Sequence, residues 1–235
     1  MNDRKSALLS AIIKEHVETG NTVASKTIVD NHNFKLSPAT IRNEMVVLEK
    51  EGFIYQPYTS AGRIPTEKGW KFYIENFLKD IELSNKQKGF LEGLLKEKGL
   101  TKESVVKKVA KGLAELSKDA VFIGFSPDNF YYTGLSNLFR QPEFQKIDLV
   151  QHISEVVDHL DEVVKNIFKQ IKEYDGAKIL IGEENPFGKD CSSIVTSYCL
   201  EGEETGVIGV LGPMRMNYED NQAMMKYIKK LFSNL

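Results

Sequence analysis

Apolar residues recur at helical spacing from the start of the chain. Leu8, Leu9, Ile12, Ile13 and Val17 return every turn, predicting an amphipathic first helix with Asp3 able to cap it and Gly20 placed to end it. Asn21-Thr22-Val23 reads as a short extended link. Ile28 and Val29 mark a brief second helix that Ser25 can cap and Asp30-Asn31-His32-Asn33 breaks. In a third, Ile41, Met45 and Leu48 trace one face at i, i+4, i+7. Ser37 is its expected N-cap, Pro38 fills the first position, where a missing N–H costs nothing, and Gly52 stops it. Phe53-Ile54-Tyr55 then reads as a short strand, a turn-rich segment follows, and Ile64-Pro65-Thr66 returns. Thr66 caps a further helix with Glu67 in its first turn and Trp70, Tyr73, Ile74 and Phe77 along one face. The only tryptophan is expected to pack this helix onto the first three.

Helix, short helix, turn, helix and hairpin is the order of a winged helix-turn-helix domain, expected over residues 1–80. A helix lying in the major groove reads bases with residues near its N-terminal end. Arg42 has the fork for a guanine, Asn43 the amide for an adenine, and Thr40 a methyl and hydroxyl for a thymine or a phosphate. Ser37 shares that helix start. Ser25, Lys26 and Thr27 offer hydroxyls and a cation to the backbone. In the wing, Tyr58, Thr59 and Ser60 can bond phosphates, and Arg63, expected at the hairpin tip, suits the minor groove or a phosphate. The plainer alternatives are a surface ion pair of Arg42 with Glu44 or Glu49, and a solvated loop around Arg63.

Residues 81–118 read as a helical linker and possible dimer contact, with Phe90, Leu91, Leu94 and Leu95 in one helix, a break at Gly99 and Thr101, and Val105, Val106, Val109, Leu113 and Leu116 in the next. From Asp119 the pattern changes. Val121–Phe125 and Phe130–Thr133 predict a hairpin about the turn Ser126-Pro127-Asp128-Asn129. Pro142-Glu143-Phe144 leads into one long helix from about Asp148, carrying Leu149, Ile153, Val156, Val157, Leu160, Val164, Ile167 and Ile171 and ended by Asp175-Gly176. Lys178–Ile181, Ser193–Leu200 and Gly206–Leu211 predict three more strands, the last two joined by a turn at Glu201-Gly202-Glu203-Glu204. Pro213 precedes a final amphipathic helix through Met224, Tyr227, Ile228 and Leu231. Over 119–235 this order predicts an α+β domain with helices on one side of its sheet.

A net charge of −2 alone does not point to nucleic acid, but its distribution matters. Residues 1–80 sum to +1, 81–118 to +4 and 119–235 to −7, so the acidic excess lies away from the expected DNA surface. The lysines of 81–118 are expected on a solvated face. Cys191 and Cys199 form neither a disulfide framework nor a CxxC metal pair, and a reducing cytoplasm is the simplest setting. No signal peptide or run of about twenty apolar residues is present, so no membrane is expected.

Other chemistry is thin. His152, Glu155 and His159 share a helix face, but it is the polar face opposite the apolar stripe, and no metal is expected there. Gly206, Gly209 and Gly212 do not make a dinucleotide fingerprint and fit a buried strand. Ser192 and Ser193 lack a nucleophile-elbow context, and Glu183-Glu184-Asn185 reads as a loop. Neither a catalytic residue nor a cofactor is expected, and the chain does not read as an enzyme.

LSPATIRNEMVVLEKEGFIYQPYTSAGRIPTEKGWKFYIENFL resembles the N-terminal domain of the HrcA family of heat-inducible transcription repressors, and the resemblance runs over residues 4–79. GLSNLFRQPEF, IGEENP and GVIGVLGPMRMNYE resemble the C-terminal part of that family, which has a GAF-like fold. The resemblance implies a homodimeric repressor on an inverted-repeat operator upstream of chaperone genes, kept active by chaperonin and released when misfolded protein occupies that chaperonin. Family members usually carry extra sheet sequence and an inserted domain linked to dimerisation before the GLSNLF segment. In this shorter form the dimer contact falls to residues 85–117 or to the C-terminal domain. The rival reading is a ligand-sensing winged-helix regulator with a small-molecule pocket in the GAF-like domain.

Overall fold

The computed structural model describes residues 1–32, 34–96, 99–145, 147–171, 176–200, 205–233 and 235. They form two compact units, Met1–Lys79 and Asp80–Leu235. The expected turn at 201–204, Asp175 and Asn33 lie outside the described residues.

In the first unit, α1 (Asp3–Thr19), α2 (Ser25–Asn31) and α3 (Pro38–Lys50) precede a two-stranded wing, β1 (Ile54–Tyr55) and β2 (Ile64–Pro65), and then α4 (Glu67–Phe77). The core is the expected one: Leu8, Leu9, Ile12, Ile13, Ile28, Ile41, Met45, Leu48 and Trp70 are all buried. Two caps differ from expectation. Asn2, not Asp3, caps α1, its Oδ1 accepting the Lys5 N–H at 2.9 Å, while Asp3 takes the first turn, where a carboxylate meets the positive helix end. The residue before α2 is Ala24, which makes no side-chain cap, and Ser25 is the first helical residue. α2 is tied down at its other end: buried Glu15 of α1 accepts from Asn31 Nδ2 at 3.1 Å and lies 3.0 Å from His32 Nε2.

The second unit contains α5 (Asn85–Leu95), α6 (Lys102–Ser117), β3 (Ala120–Ser126), β4 (Asn129–Thr133), α7 (Leu135–Phe139), α8 (Ile147–Asp158), α9 (Leu160–Ile171), β5 (Ala177–Ile181), β6 (Cys191–Tyr198), β7 (Gly206–Pro213) and α10 (Tyr218–Phe232). The sheet is wholly antiparallel, in the order β4-β3-β7-β6-β5. The helical pair of residues 81–118 belongs to this unit.

Helices cover both faces of the sheet, not one. Ala120, Phe122, Val195, Val207 and Leu211 pack with Leu160, Val164, Ile167 and Phe168 of α9. Their neighbours Val121, Ile123, Ile194, Ile208 and Val210 are equally buried and by strand alternation face the other way. There α10 lies on β6, with Tyr218 Oη 2.9 Å from Ser192 Oγ, and α6 lies on β3. Every residue of β7 is buried, the mark of a strand covered on both sides.

The expected long helix is two, α8 and α9, parted at His159. No glycine or proline marks the break, and the apolar spacing runs through it. What changes is burial: α9 buries six apolar residues against the sheet side, whereas Ile153 is the buried apolar residue of α8. α7, which follows Gly134, was not expected at all, being a single short turn of helix within GLSNLF.

Candidate nucleic-acid interface

The geometry starts with the cap of α3. Ser37 Oγ accepts the Thr40 N–H at 3.1 Å and lies 2.9 Å from Thr40 Oγ1, so the two hydroxyls engage each other at the helix start. With Ile41, Met45 and Leu48 turned into the core, the opposite series at i, i+4, i+7, i+11 is Ala39, Asn43, Val46 and Lys50, all exposed. Arg42 flanks that series and is exposed too.

The charges of α3 decide what this face presents. Glu44 pairs with Arg4 and Glu51 with Lys5, both from α1. Glu49 accepts from Arg63, whose Nε and Nη2 lie 3.1 and 3.0 Å from Oε2. All three carboxylates at or beside α3 are therefore answered by cations from elsewhere. Neither Glu44 nor Glu49 pairs with Arg42, and among the described residues the side chains of Arg42, Asn43 and Lys50 have no hydrogen bond or ion pair. The outer face is left positive and able to donate.

Arg63 is not at the wing tip. Its N–H and C=O exchange 2.8 Å bonds with Val23, so the extended link before α2 joins the foot of the wing through one antiparallel bridge. Its side chain is 14% exposed and lies on Glu49. Glu49 Oε1 also accepts the Gln56 N–H at 3.0 Å, so one carboxylate grips both strands. Gly62 permits the close approach, because a Cβ there would stand 2.6 Å from the Val23 backbone. The tip is Pro57–Ser60, which carries no charge. Tyr58 is 67% exposed, and Thr59 and Ser60 are exposed, Ser60 with φ 72°. On α2, Lys26 is exposed while Ser25 and Thr27 are half-buried.

Sequence reasoning missed Arg4 and Lys5. Nothing local marks residues 40 and 46 positions distant as the partners of Glu44 and Glu51. Lys50 was legible as the last member of the outward series but was not singled out.

In the second unit the polar chemistry is structural. Tyr218 Oη donates to the Met214 carbonyl at 2.6 Å, and burial pushes its hydroxyl well above the usual phenol range. Asn185 is buried, its Oδ1 accepting from Ser193 Oγ at 3.1 Å. Burial also pushes the Cys191 thiol up to about 12. Among the described residues no group of three His, Cys, Asp or Glu side chains is placed to hold a metal ion, and no helix is long and apolar enough to cross a membrane.

A solved structure described as a hypothetical protein shares this fold, with a TM-score of 0.78 at 21% identity, covering all of this chain and 98% of the other. Relatives named heat-inducible transcription repressor HrcA occur in Carboxydothermus hydrogenoformans, 24% identical over 100% of this chain and 98% of the relative, and in Natranaerobius thermophilus, 28% identical over 93% and 92%. The first of these alignments runs over 337 residues against the 235 of this chain, so that relative carries residues with no counterpart here. The family model described as the HrcA protein C terminal domain matches residues 69–221, from α4 through the sheet and into α10. With more than half its length so matched, the chain belongs to the HrcA family.

Proposed function

We propose that the protein is a DNA-binding transcriptional repressor of heat-shock chaperone genes, acting in the cytoplasm as a homodimer on an inverted-repeat operator, with its activity tied to chaperonin. The observation that carries this reading is the outer face of α3, where Arg42 and Asn43 stand free while Glu44, Glu49 and Glu51 are neutralised from behind. Arg42 reads guanine through O6 and N7, and Asn43 reads adenine through N6 and N7. Thr40, Ser37, Ser25, Lys26 and Thr27 serve the phosphates around that helix, and Tyr58, Thr59 and Ser60 serve those under the wing. Arg63 supports the wing instead of reaching for DNA. Two protomers present the same helix to two half-sites about 34 Å apart, which is what a two-fold operator requires. Residues 85–117 or the sheet domain of residues 119–235 supply the dimer contact.

The test uses the whole protein and a duplex from the promoter of its own organism's chaperonin genes. Binding is expected to be specific, to protect two half-sites and to fall linearly in log affinity with log salt. Added chaperonin is expected to strengthen it. Equal affinity for an unrelated duplex at every salt concentration overturns the repressor reading, and a single protected half-site overturns the dimer.

A further inference from the structure

The outward face of α3 is not wholly polar. Val46 is 36% and Val47 37% exposed, and Ala39 is exposed one turn before Asn43. None of the three contributes to the core, which this helix meets through Ile41, Met45 and Leu48. Valine is a poorer helix former than lysine, glutamate or arginine, so the helix itself does not call for two of them in water. Ala39 and Val46 lie on the same line as Asn43 and Lys50, with Arg42 beside them, and no carboxylate on this helix is left without a cation. Such a surface, cationic at its edges with methyl groups between, fits a polyanion that itself displays methyl groups. The major groove of DNA is one, because each thymine projects its 5-methyl there between hydrogen-bonding edges.

We infer that Ala39 and Val46 read thymine through its 5-methyl group, on either side of the bases bonded by Arg42 and Asn43. This inference rests on the repressor reading above and assigns base specificity to two side chains with no hydrogen-bonding group. Residues 39 and 46 are separated by about two turns of helix, so they address different base pairs. Val47 flanks the face and is given no base.

The experiment selects bound duplexes from a randomised library with the whole protein, then replaces each thymine of the selected sequence, one at a time, by deoxyuridine. Uracil keeps every hydrogen-bonding edge of thymine and lacks only the methyl. One or two positions are expected to lose about fourfold in affinity, the factor that removing one methyl-sized group from water yields. Val46→Ser is expected to bind the thymine duplex more weakly and to lose the thymine–uracil distinction at one position. Ala39→Ser is expected to do so at another. Both side chains are exposed, so melting temperatures should stay near that of the wild type. A selected sequence indifferent to uracil everywhere, or a distinction that survives both substitutions, overturns this inference and leaves the repressor reading standing. Enrichment of no sequence overturns both and hands the face to a protein partner.

Discussion

Glu49 and Asp119 are carboxylates with restricted access to water, one in each compact unit, and their surroundings differ. Glu49 is answered by Arg63 and by the Gln56 N–H, and its charge holds the wing in place. Asp119 is buried before β3 with a neutral partner, accepting from Asn221 Nδ2 at 2.9 Å. Among the described residues it has no ion pair. Arg215, the cation that acts on it from a distance, is engaged by Glu143 and Gln141. Burial therefore raises the Asp119 carboxyl from 3.8 to about 7. The first unit uses carboxylates to set up a charged surface, so salt is the variable to which it answers. The second shelters one without a countercharge, so pH is the variable to which it answers.

The largest expected effect breaks or keeps the second half of that contrast. A folded-state value above the unfolded one means that the native protein holds the proton more tightly. Asp119 thus contributes full stability below about pH 4, loses it as pH rises from there to about 7, and changes nothing above. The displacement from 3.8 to about 7 corresponds to roughly 4 kcal/mol. Asp119→Asn, which keeps the shape and stays neutral, should remove that decline and leave the variant more stable than the wild type at pH 8. Denaturant unfolding at pH 4, 6 and 8 measures it, and parallel pH curves for the two proteins would show that Asp119 is ionised in the native state at pH 6.

For the first unit, Arg42→Ala is expected to cost about 1–3 kcal/mol on the operator, to relax specificity at one base position and to leave stability unchanged. A uniform loss on all duplexes would make Arg42 a phosphate contact and move base reading to Asn43 and its neighbours.

Much of this was legible in the sequence because it is local. The core face of α3, its Ser37 cap, the Thr66 cap of α4 and the β3–β4 hairpin follow from spacings within a dozen residues. What was not legible depends on partners far along the chain. Arg63 looked like a tip residue because glycine precedes it, but Glu49 and Val23 hold it at the wing's foot. The helices on both faces of the sheet were hidden for a related reason. β7 reads as apolar throughout, which marks two-sided burial, yet only the sheet order places α6 and α10 opposite α9. The division of α8 from α9 leaves no glycine, proline or shift of period to find.

Arg63→Ala tests that reassignment. Losing the guanidinium leaves Glu49 without its countercharge against the wing, an expected cost of about 1–2 kcal/mol in stability. Operator binding should weaken in step with the loosened wing while the slope of log affinity against log salt stays the same. A slope reduced by about one unit with stability intact would return Arg63 to the phosphates.

The smallest effect separates a cap from a contact. Ser37 caps α3, while α2 begins after Ala24 with no side-chain cap. Ser37→Ala should therefore lower the stability of the first unit by about 1 kcal/mol, and Ala24→Ser should raise it by a comparable or smaller amount. For a unit of this size 1 kcal/mol corresponds to about 4–8 °C in Tm. If Ser37 acts only through the cap, the salt slope of Ser37→Ala equals that of the wild type. The double variant with Ala24→Ser should then regain much of the lost Tm without regaining a DNA contact. If Ser37 also touches a phosphate, that double variant recovers its melting temperature and still binds the operator more weakly. Ser37 Oγ accepts the Thr40 N–H and shares one hydrogen with Thr40 Oγ1. When Thr40 supplies that hydrogen, the Ser37 O–H is left to donate to a phosphate, which is the second result and the one the proposed interface requires.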